Sequence, residues 1–489
     1  YIYGKNQRQD GQPLTGPMHI AIFIVYAILC GYAILKLPLF RRTGIPPAML
    51  LFFFEVHVAV GCLHNLIAWR YYPGHGDIWD SFQWSLLLRN WLHTDFQHFL
   101  LANSRWTYFT HNGIIFIQMA LNFFSFDNLY VNTLLFSFPV FLGNTALFLA
   151  FRRWFPGNPL LALLVFLLPS TLFWTACIFR EGVLYMLLGF LCYRFAFPPL
   201  RRRALWFCSC FLLILYFRFT VAAFIIPALL VSRWTEYPPR RLLLPAIGVA
   251  ASVLLLCLAV PAIPGFVLHG LARWQAEFQV LEGHSRLYLP AIDGTWASLF
   301  HTAPYALLNG FFQPLPGAGG RGIYLAFSVE LAIVWALVAA AAIRGLSGRR
   351  TARREPPPFP GPASSHLNPP PPSDPAPIRA RPPLQPAPQP ALQPALQHAP
   401  QPAIQPALQP APQGAPPSAP QRDMSAACLV FAFLGMLAVG AIVPFAGAIV
   451  RYRSLYLPFL LAPALQALRN TSPVQRVNRW LRNRLKIII

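Results

Sequence analysis

Apolar runs about as long as a bilayer is thick, broken by short polar or proline-bearing gaps, recur along this 489-residue chain. A bilayer core needs about 20 apolar residues per helix, and fewer for half-helices shielded by protein. On that ruler the pattern predicts spans near residues 18–40, 48–69, 129–151, 159–178, 182–198, 204–217, 219–232, 243–262, 323–343, 426–448 and 454–468. The expected fold is therefore an all-α polytopic integral membrane protein with about 11 transmembrane segments, several of them short or broken.

Some stretches depart from simple spans. Residues 70–128 form a long outer segment with amphipathic pieces around Trp79–Arg89 and a short apolar run, Ile114–Phe126, expected to lie in the interface or to dip in and return. Residues 263–322 form a second outer segment rich in Pro, Gly and aromatics. The short runs 204–217 and 219–232 meet at Tyr216-Phe217-Arg218, which puts an arginine at the mouth of a helix pair. Residues 1–350 thus read as a membrane domain, and 423–468 as a C-terminal membrane hairpin. Between them, 351–422 is Pro/Ala/Gln-rich with recurring Gln-Pro-Ala units. It lacks the apolar variety for a core and reads as a disordered cytoplasmic linker, an expanded spacer rather than a docking motif. The basic tail 469–489, with interspersed Val, Trp and Leu, is expected along the inner leaflet.

Charge fixes the orientation. Arginine clusters sit at every second gap: Arg41-Arg42, Arg152-Arg153, Arg201 to Arg203, Arg233 with Arg240-Arg241, Arg344 to Arg354, and Arg469 to Lys486. The other gaps carry Asp77, Asp80, Asp95, Glu181, Glu277, Glu282 and Asp293. Positive loops stay cytoplasmic, so the acid-bearing loops are expected outside a plasma membrane, with the N-terminus outward. Composition agrees: the chain is 56% hydrophobic and 11% charged, too little charge to cover a soluble protein of this size. The net charge of +23 does not point to nucleic acid, because the basic residues lie at the ends of apolar runs, as anchors beside anionic lipid headgroups do. Membrane lipids are the first expected partner.

All eight cysteines fall in or beside apolar segments without metal-binding spacing, which reads as packing without disulfides. The chain begins at Tyr1, so an N-terminal piece is expected to be missing. No cleavable signal is evident, since the first apolar run is as long as a span.

An ionisable group near hydrocarbon is costly and usually has a partner or a task. Three constellations meet that description. In His75-Gly76-Asp77-Ile78-Trp79-Asp80, Asp77 either caps the following helix or presents a carboxylate as a general base or metal ligand. In Pro169-Ser170 to Arg180-Glu181, the Arg-Glu pair either neutralises a helix end or holds an anionic group, with Glu181 orienting it. In the segment Arg451-Tyr452-Arg453 to Pro458, the two arginines either snorkel at headgroup level or join Arg218 in a cationic pocket suited to phosphate. His93, Asp95 and His98 share no helical face and do not make a zinc site; Gly317 to Arg321 reads as a flexible turn.

Together these segments resemble the GT-C superfamily of polytopic glycosyltransferases, and more narrowly bacterial relatives with the same three elements. Those are an acidic motif in the first outer loop (here Asp77), a Pro-Ser…Phe-Trp…Arg-Glu segment (here Pro169-Ser170 to Arg180-Glu181) and an Arg-Tyr-Arg…Pro hairpin (here Arg451 to Arg453 with Pro458). The resemblance spans most of residues 45–465 outside the linker. It implies an inner-membrane enzyme that moves a sugar from a polyprenyl-phosphate donor to a glycan or lipid acceptor at the outer face. Asp77, Asp80 and Glu181 would serve catalysis, and Arg180, Arg218, Arg451 and Arg453 would bind the lipid phosphate. No cofactor is implied, although a divalent metal is compatible with the acids. Two departures stand out. Gln313, in Asn309-Gly-Phe-Phe-Gln313-Pro314, replaces an arginine of such relatives, and the outward N-terminus differs from their inward one. A secondary transporter or flippase for a lipid-linked or anionic substrate is the alternative, since transporters also use broken helices and buried charges. A scaffold recruiting a cytoplasmic partner through the Pro-rich linker leaves the acid–arginine arrangement unexplained.

Overall fold

The computed structural model describes residues 16–71, 76–103, 106–197, 203–234, 262–281, 283, 285–317, 322–352 and 424–485. The expected span 243–262 and nearly all of the linker 351–422 lie outside these residues, as do Arg240, Arg241 and Glu282. Contacts divide the chain into two units, Tyr1–Gly348 with Gln421–Ile489, and Arg349–Pro420; of the second, only a helix end, 349–352, is described.

The described residues form helices: α1 (Pro17–Lys36), α2 (Pro38–Arg41), α3 (Pro47–Tyr71), α4 (Gly76–Thr94), α5 (Phe96–Asn103), α6 (Trp106–Ser125), α7 (Leu129–Trp154), α8 (Leu160–Leu167), α9 (Pro169–Thr175), α10 (Arg180–Ala196), α11 (Arg203–Phe217), α12 (Phe219–Trp234), α13 (Ala262–Gln279), α14 (Trp296–Phe312), α15 (Gly322–Ala352), α16 (Ser425–Ile442), α17 (Ala446–Arg453), α18 (Leu457–Leu468) and α19 (Ser472–Leu485). Among them there is no strand. One isolated antiparallel bridge, Arg286 with Phe445, ties the 285–290 segment to the break between α16 and α17.

Proline sets many of the boundaries. It lacks an N–H and disfavours helix in the residue before it, so it opens a helix and ends the preceding one. Pro38, Pro47 and Pro169 each stand first in their helix, and Pro458 second. Side-chain caps set two other starts: Asn128 Oδ1 accepts from the Tyr130 and Val131 N–H groups at 2.9 and 3.0 Å, and Thr295 Oγ1 from Ser298 N at 3.2 Å.

Among the described residues five helices are long and apolar enough to cross a membrane: α1, α3, α7, the first 23 residues of α15 and α16. The pair α9 and α10, bent by 110° across 176–179, makes a sixth if it is one broken span. Ten of the eleven expected spans overlap described helices, but only five or six of these are long and apolar enough to cross a membrane by themselves. The run 159–178 is cut at Leu168-Pro169 into α8 and α9, and 426–448 is cut after Ile442 into α16 and α17. Residues 106–125 are one helix, α6, longer than the apolar run predicted there.

Two helices form the centre. α7 is buried over most of its length against α1, α3, α6, α8 and α10, and α16 packs against α12, α13, α14, α17 and α18. The α7–α10 crossing is so close that a Cβ on Gly189 would stand 2.0 Å from the Gly143 carbonyl oxygen, so the crossing depends on small residues. In contrast α1 turns Ile20, Ile24, Ile28 and Tyr32 outward, the apolar exposure expected of a helix that meets lipid rather than water.

Three of the basic ends are tied to neighbouring helix ends. Arg152 Nη2 donates to the Arg42 carbonyl at 2.8 Å, Arg42 Nη1 to Tyr193 Oη at 3.0 Å, and Arg469 Nη1 to the Pro156 carbonyl at 3.3 Å. Tyr193 lies near the end of α10, whereas Glu181 lies at its start, about 20 Å away along a regular helix.

Candidate functional site

Four distant stretches of the chain meet around Arg451 and Glu181. Its Nε donates to Glu181 Oε2 at 3.0 Å and its Nη1 to Asp77 Oδ2 at 3.0 Å. Glu181 also receives Arg218 Nη1 on Oε1 at 3.4 Å. Asp77 lies in the first turn of α4, Glu181 in the first turn of α10, Arg218 between α11 and α12, and Arg451 near the end of α17.

Burial divides the roles. The Glu181 side chain is 1% exposed, Arg451 16% and Arg218 25%, while Asp77 is 76% exposed. Withdrawing a carboxylate from water costs several kcal/mol unless counter-charges and hydrogen bonds replace the solvent. Glu181 has two guanidinium groups for that purpose, so it orients the arginines and is itself inaccessible. Asp77 has only one face committed to Arg451 and its remaining surface open, so it is the carboxylate a substrate can reach.

Aromatic faces complete the setting. The Arg451 guanidinium lies 4.1 Å from the Phe179 ring centroid and 5.7 Å from that of Trp174, and Arg218 lies 3.8 Å from that of Tyr452. Such stacking holds a guanidinium plane in place while its edge remains available for a planar or tetrahedral anion. Behind this layer His64 packs on Phe173, Trp174 and Phe179.

Arg180 heads α10 and is acted on by the charges of Glu181, Arg218 and Arg451, so it belongs to the same cluster. Arg180, Arg218 and Arg451 thus gather with Asp77 and Glu181 in one cluster of opposite charges. Asp80 is exposed one turn along α4 from Asp77.

Arg453 departs from the expectation that it binds phosphate beside Arg451. It is 2% exposed, and its Nη1 donates to the Gly310 carbonyl at 3.3 Å and to the Gln313 carbonyl, at the C-terminal end of α14. The reason is helical geometry: residues two apart on a helix do not share a face, so Arg451 and Arg453 on α17 point different ways. Arg453 satisfies carbonyls that a helix end leaves unpaired. The Gln313 side chain in turn accepts from Leu315 N at 3.0 Å, closing its own turn.

A second buried network was not anticipated from sequence. Glu330, 8% exposed on the apolar helix α15, accepts from Ser170 N with both carboxylate oxygens at 3.1 Å and from Ser170 Oγ at 3.0 Å. It thereby caps the start of α9. Thr171 Oγ1 donates to the Ser454 carbonyl at 2.8 Å, and Ser454 Oγ to the Arg451 carbonyl at 2.6 Å. The network ties α9 and α15 to the turn that carries Arg451. A lone acid inside an apolar run was the available signal.

Among the described residues no three His, Cys, Asp or Glu side chains come together in a way that would hold a metal ion. Asp95 accepts from the His98 N–H at 2.9 Å as the cap of α5. Comparison with known proteins finds no matching family model and no significant match to a curated protein or a solved structure.

Proposed function

We propose that this protein is a GT-C-like glycosyltransferase that moves a sugar from a polyprenyl-phosphate donor to a hydroxyl acceptor at the outer face of a bacterial inner membrane. The observation that carries the reading is the single guanidinium of Arg451 shared between an accessible carboxylate, Asp77, and a buried one, Glu181. The placement of basic loop ends at the far end of α10 from Glu181 supports a cytoplasmic basic side and an outer acid–arginine centre.

In this reading the donor's phosphate settles on Arg451 with Arg180 and Arg218, competing with Asp77 for the same guanidinium. Asp77 is thereby released to accept the acceptor's proton. The acceptor oxygen forms its bond to the anomeric carbon as the bond from that carbon to the phosphate oxygen breaks, and the phosphate leaves with the electron pair. The arginines stabilise the charge that develops on it. A phosphate leaving group needs little protonation, so one base and several cations suffice. Glu181 is a positioning residue that keeps Arg451 and Arg218 aimed.

The 110° bend between α9 and α10, beside buried charge, favours a second reading, a flippase for the same lipid-linked sugar. Reconstituted protein supplied with radiolabelled polyprenyl-phosphate sugar and acceptor separates the two. Transfer predicts labelled acceptor together with free polyprenyl phosphate. Movement of the intact lipid-linked sugar between leaflets, with no bond cleaved, would replace the enzyme by the transporter.

A further inference from the structure

At the end of α7 the chain turns through Gly157, which has φ of +75° and open space where a Cβ would stand, before α8 begins. Helix α19 packs beside α8, and between the turn and the helix lies a cavity of about 380 Å³. Its walls are Gly157, Arg469, Asn470, Gln475, Asn478, Arg479 and Arg482, with no carboxylate among them. Two of the arginines are fixed by the turn itself: Arg469 Nη1 donates to the Pro156 carbonyl at 3.3 Å and Arg482 Nη2 to the Gly157 carbonyl at 3.2 Å. A guanidinium has five N–H donors, so each retains most of its capacity after one such bond.

We propose that this cleft is an anion site for a phosphate group, supplied by the headgroup of an anionic phospholipid. Three guanidinium groups and three side-chain amides around one space present the donor set that phosphate oxygens require, and the volume lies in the range of ligand pockets. The surroundings match a lipid rather than a free ion. The cleft sits at the end of a helix long enough to cross a membrane, and α19 exposes Trp480 at 55% and Val477 at 42%, the mixture of ring and aliphatic surface that rests at headgroup depth. The site is separate from the Arg451 cluster and does not depend on the proposed sugar transfer.

Native mass spectrometry of the full chain in detergent tests the proposal with three probes: phosphatidylglycerol, phosphatidylcholine of the same acyl chains, and inorganic pyrophosphate. Wild-type protein is expected to retain phosphatidylglycerol over phosphatidylcholine, and Arg479→Gln to lower that retention about tenfold, the loss of one charge-assisted contact. No described fold contact holds Arg479 as the Pro156 and Gly157 carbonyls hold Arg469 and Arg482, so Arg479→Gln is expected to melt like wild type, which controls for folding. Arg476→Gln and Arg484→Gln remove the same charge from α19 without lining the cleft. Equal loss in those two variants would overturn the site in favour of diffuse surface attraction. Pyrophosphate retained in an Arg479-dependent way without lipid preference would overturn the lipid source while keeping a phosphate site. Failure of both anionic probes to depend on Arg479 would overturn it entirely.

Discussion

Arg451 and Glu181 stand 270 positions apart in the chain and meet at 3.0 Å between Nε and Oε2. Glu181 is buried, so the pair cannot be judged as a surface ion bridge. Breaking a buried pair from one side leaves a charge without compensation, at a cost of about 3–5 kcal/mol, whereas replacing both partners by apolar groups can be nearly neutral. Arg451→Met and Glu181→Leu are therefore each expected to destabilise strongly, and the double variant carrying both to recover much of the loss. Thermal unfolding of the four proteins in detergent reads the coupling. Simple additivity of the single losses would contradict the pairing.

Arg453 is expected to behave differently from its neighbour. Its guanidinium holds the Gly310 and Gln313 carbonyls at the end of α14. Arg453→Met should cost about 2–3 kcal/mol of stability, the range for charge-assisted bonds lost in a buried place, while the folded fraction keeps its substrate affinity. Arg451→Lys should do the reverse, weakening affinity for the phosphate donor more than stability. Parallel melting curves and donor titrations distinguish them, and a donor-affinity loss in Arg453→Met without unfolding would return that residue to the phosphate site.

The α7–α10 crossing makes its own demand. A Cβ on Gly189 would stand 2.0 Å from the Gly143 carbonyl oxygen, which requires backbone movement rather than a rotamer change. Gly189→Val is expected to lower stability by at least ~1–3 kcal/mol, the usual cost of overpacking. Because Glu181 lies on α10, donor turnover should fall with it. Unchanged melting would show that the crossing is looser than described.

Outside the spans, hydrogen bonding with Ser298 and Thr295 pulls the Asp293 carboxyl down to about 2. A carboxyl depressed in the folded state stabilises above its unfolded value, about 3.9, and that contribution is lost as pH falls through the folded value. The turn leading into α14 is thus expected to hold at pH 4 and loosen toward pH 2. Carbon-13 titration of the Asp293 carboxyl checks this, and a midpoint near 4 would contradict it.

Much of the site was legible because charge is scarce in this chain. Asp77, Glu181, Arg218 and Arg451 were each conspicuous as ionisable groups at the ends of apolar runs, and they meet. Which arginine of Arg451-Tyr452-Arg453 joins them was not legible until the segment was known to be a helix, which sends alternate residues to different sides. Glu330 stood in plain view inside an apolar run, yet its partner is the backbone N–H and neutral hydroxyl of Ser170, 160 positions away, and no charge pattern announces such a partner. The helices were mostly where the apolar runs lie. The number of spans was less readable, because Pro169 and Pro444 cut apparent spans into short helices whose paths depend on packing.

Turnover by the Asp77→Asn variant tests the account most directly. The Asp77 side chain is 76% exposed, so its pairing with Arg451 contributes little stability, and the variant is expected to fold and melt like wild type. With polyprenyl-phosphate sugar and acceptor, kcat is predicted to fall by about 10²- to 10⁴-fold, the contribution of a positioned general base, while donor binding is kept or improved as Arg451 loses a competitor. Full activity in a folded Asp77→Asn protein would contradict the account.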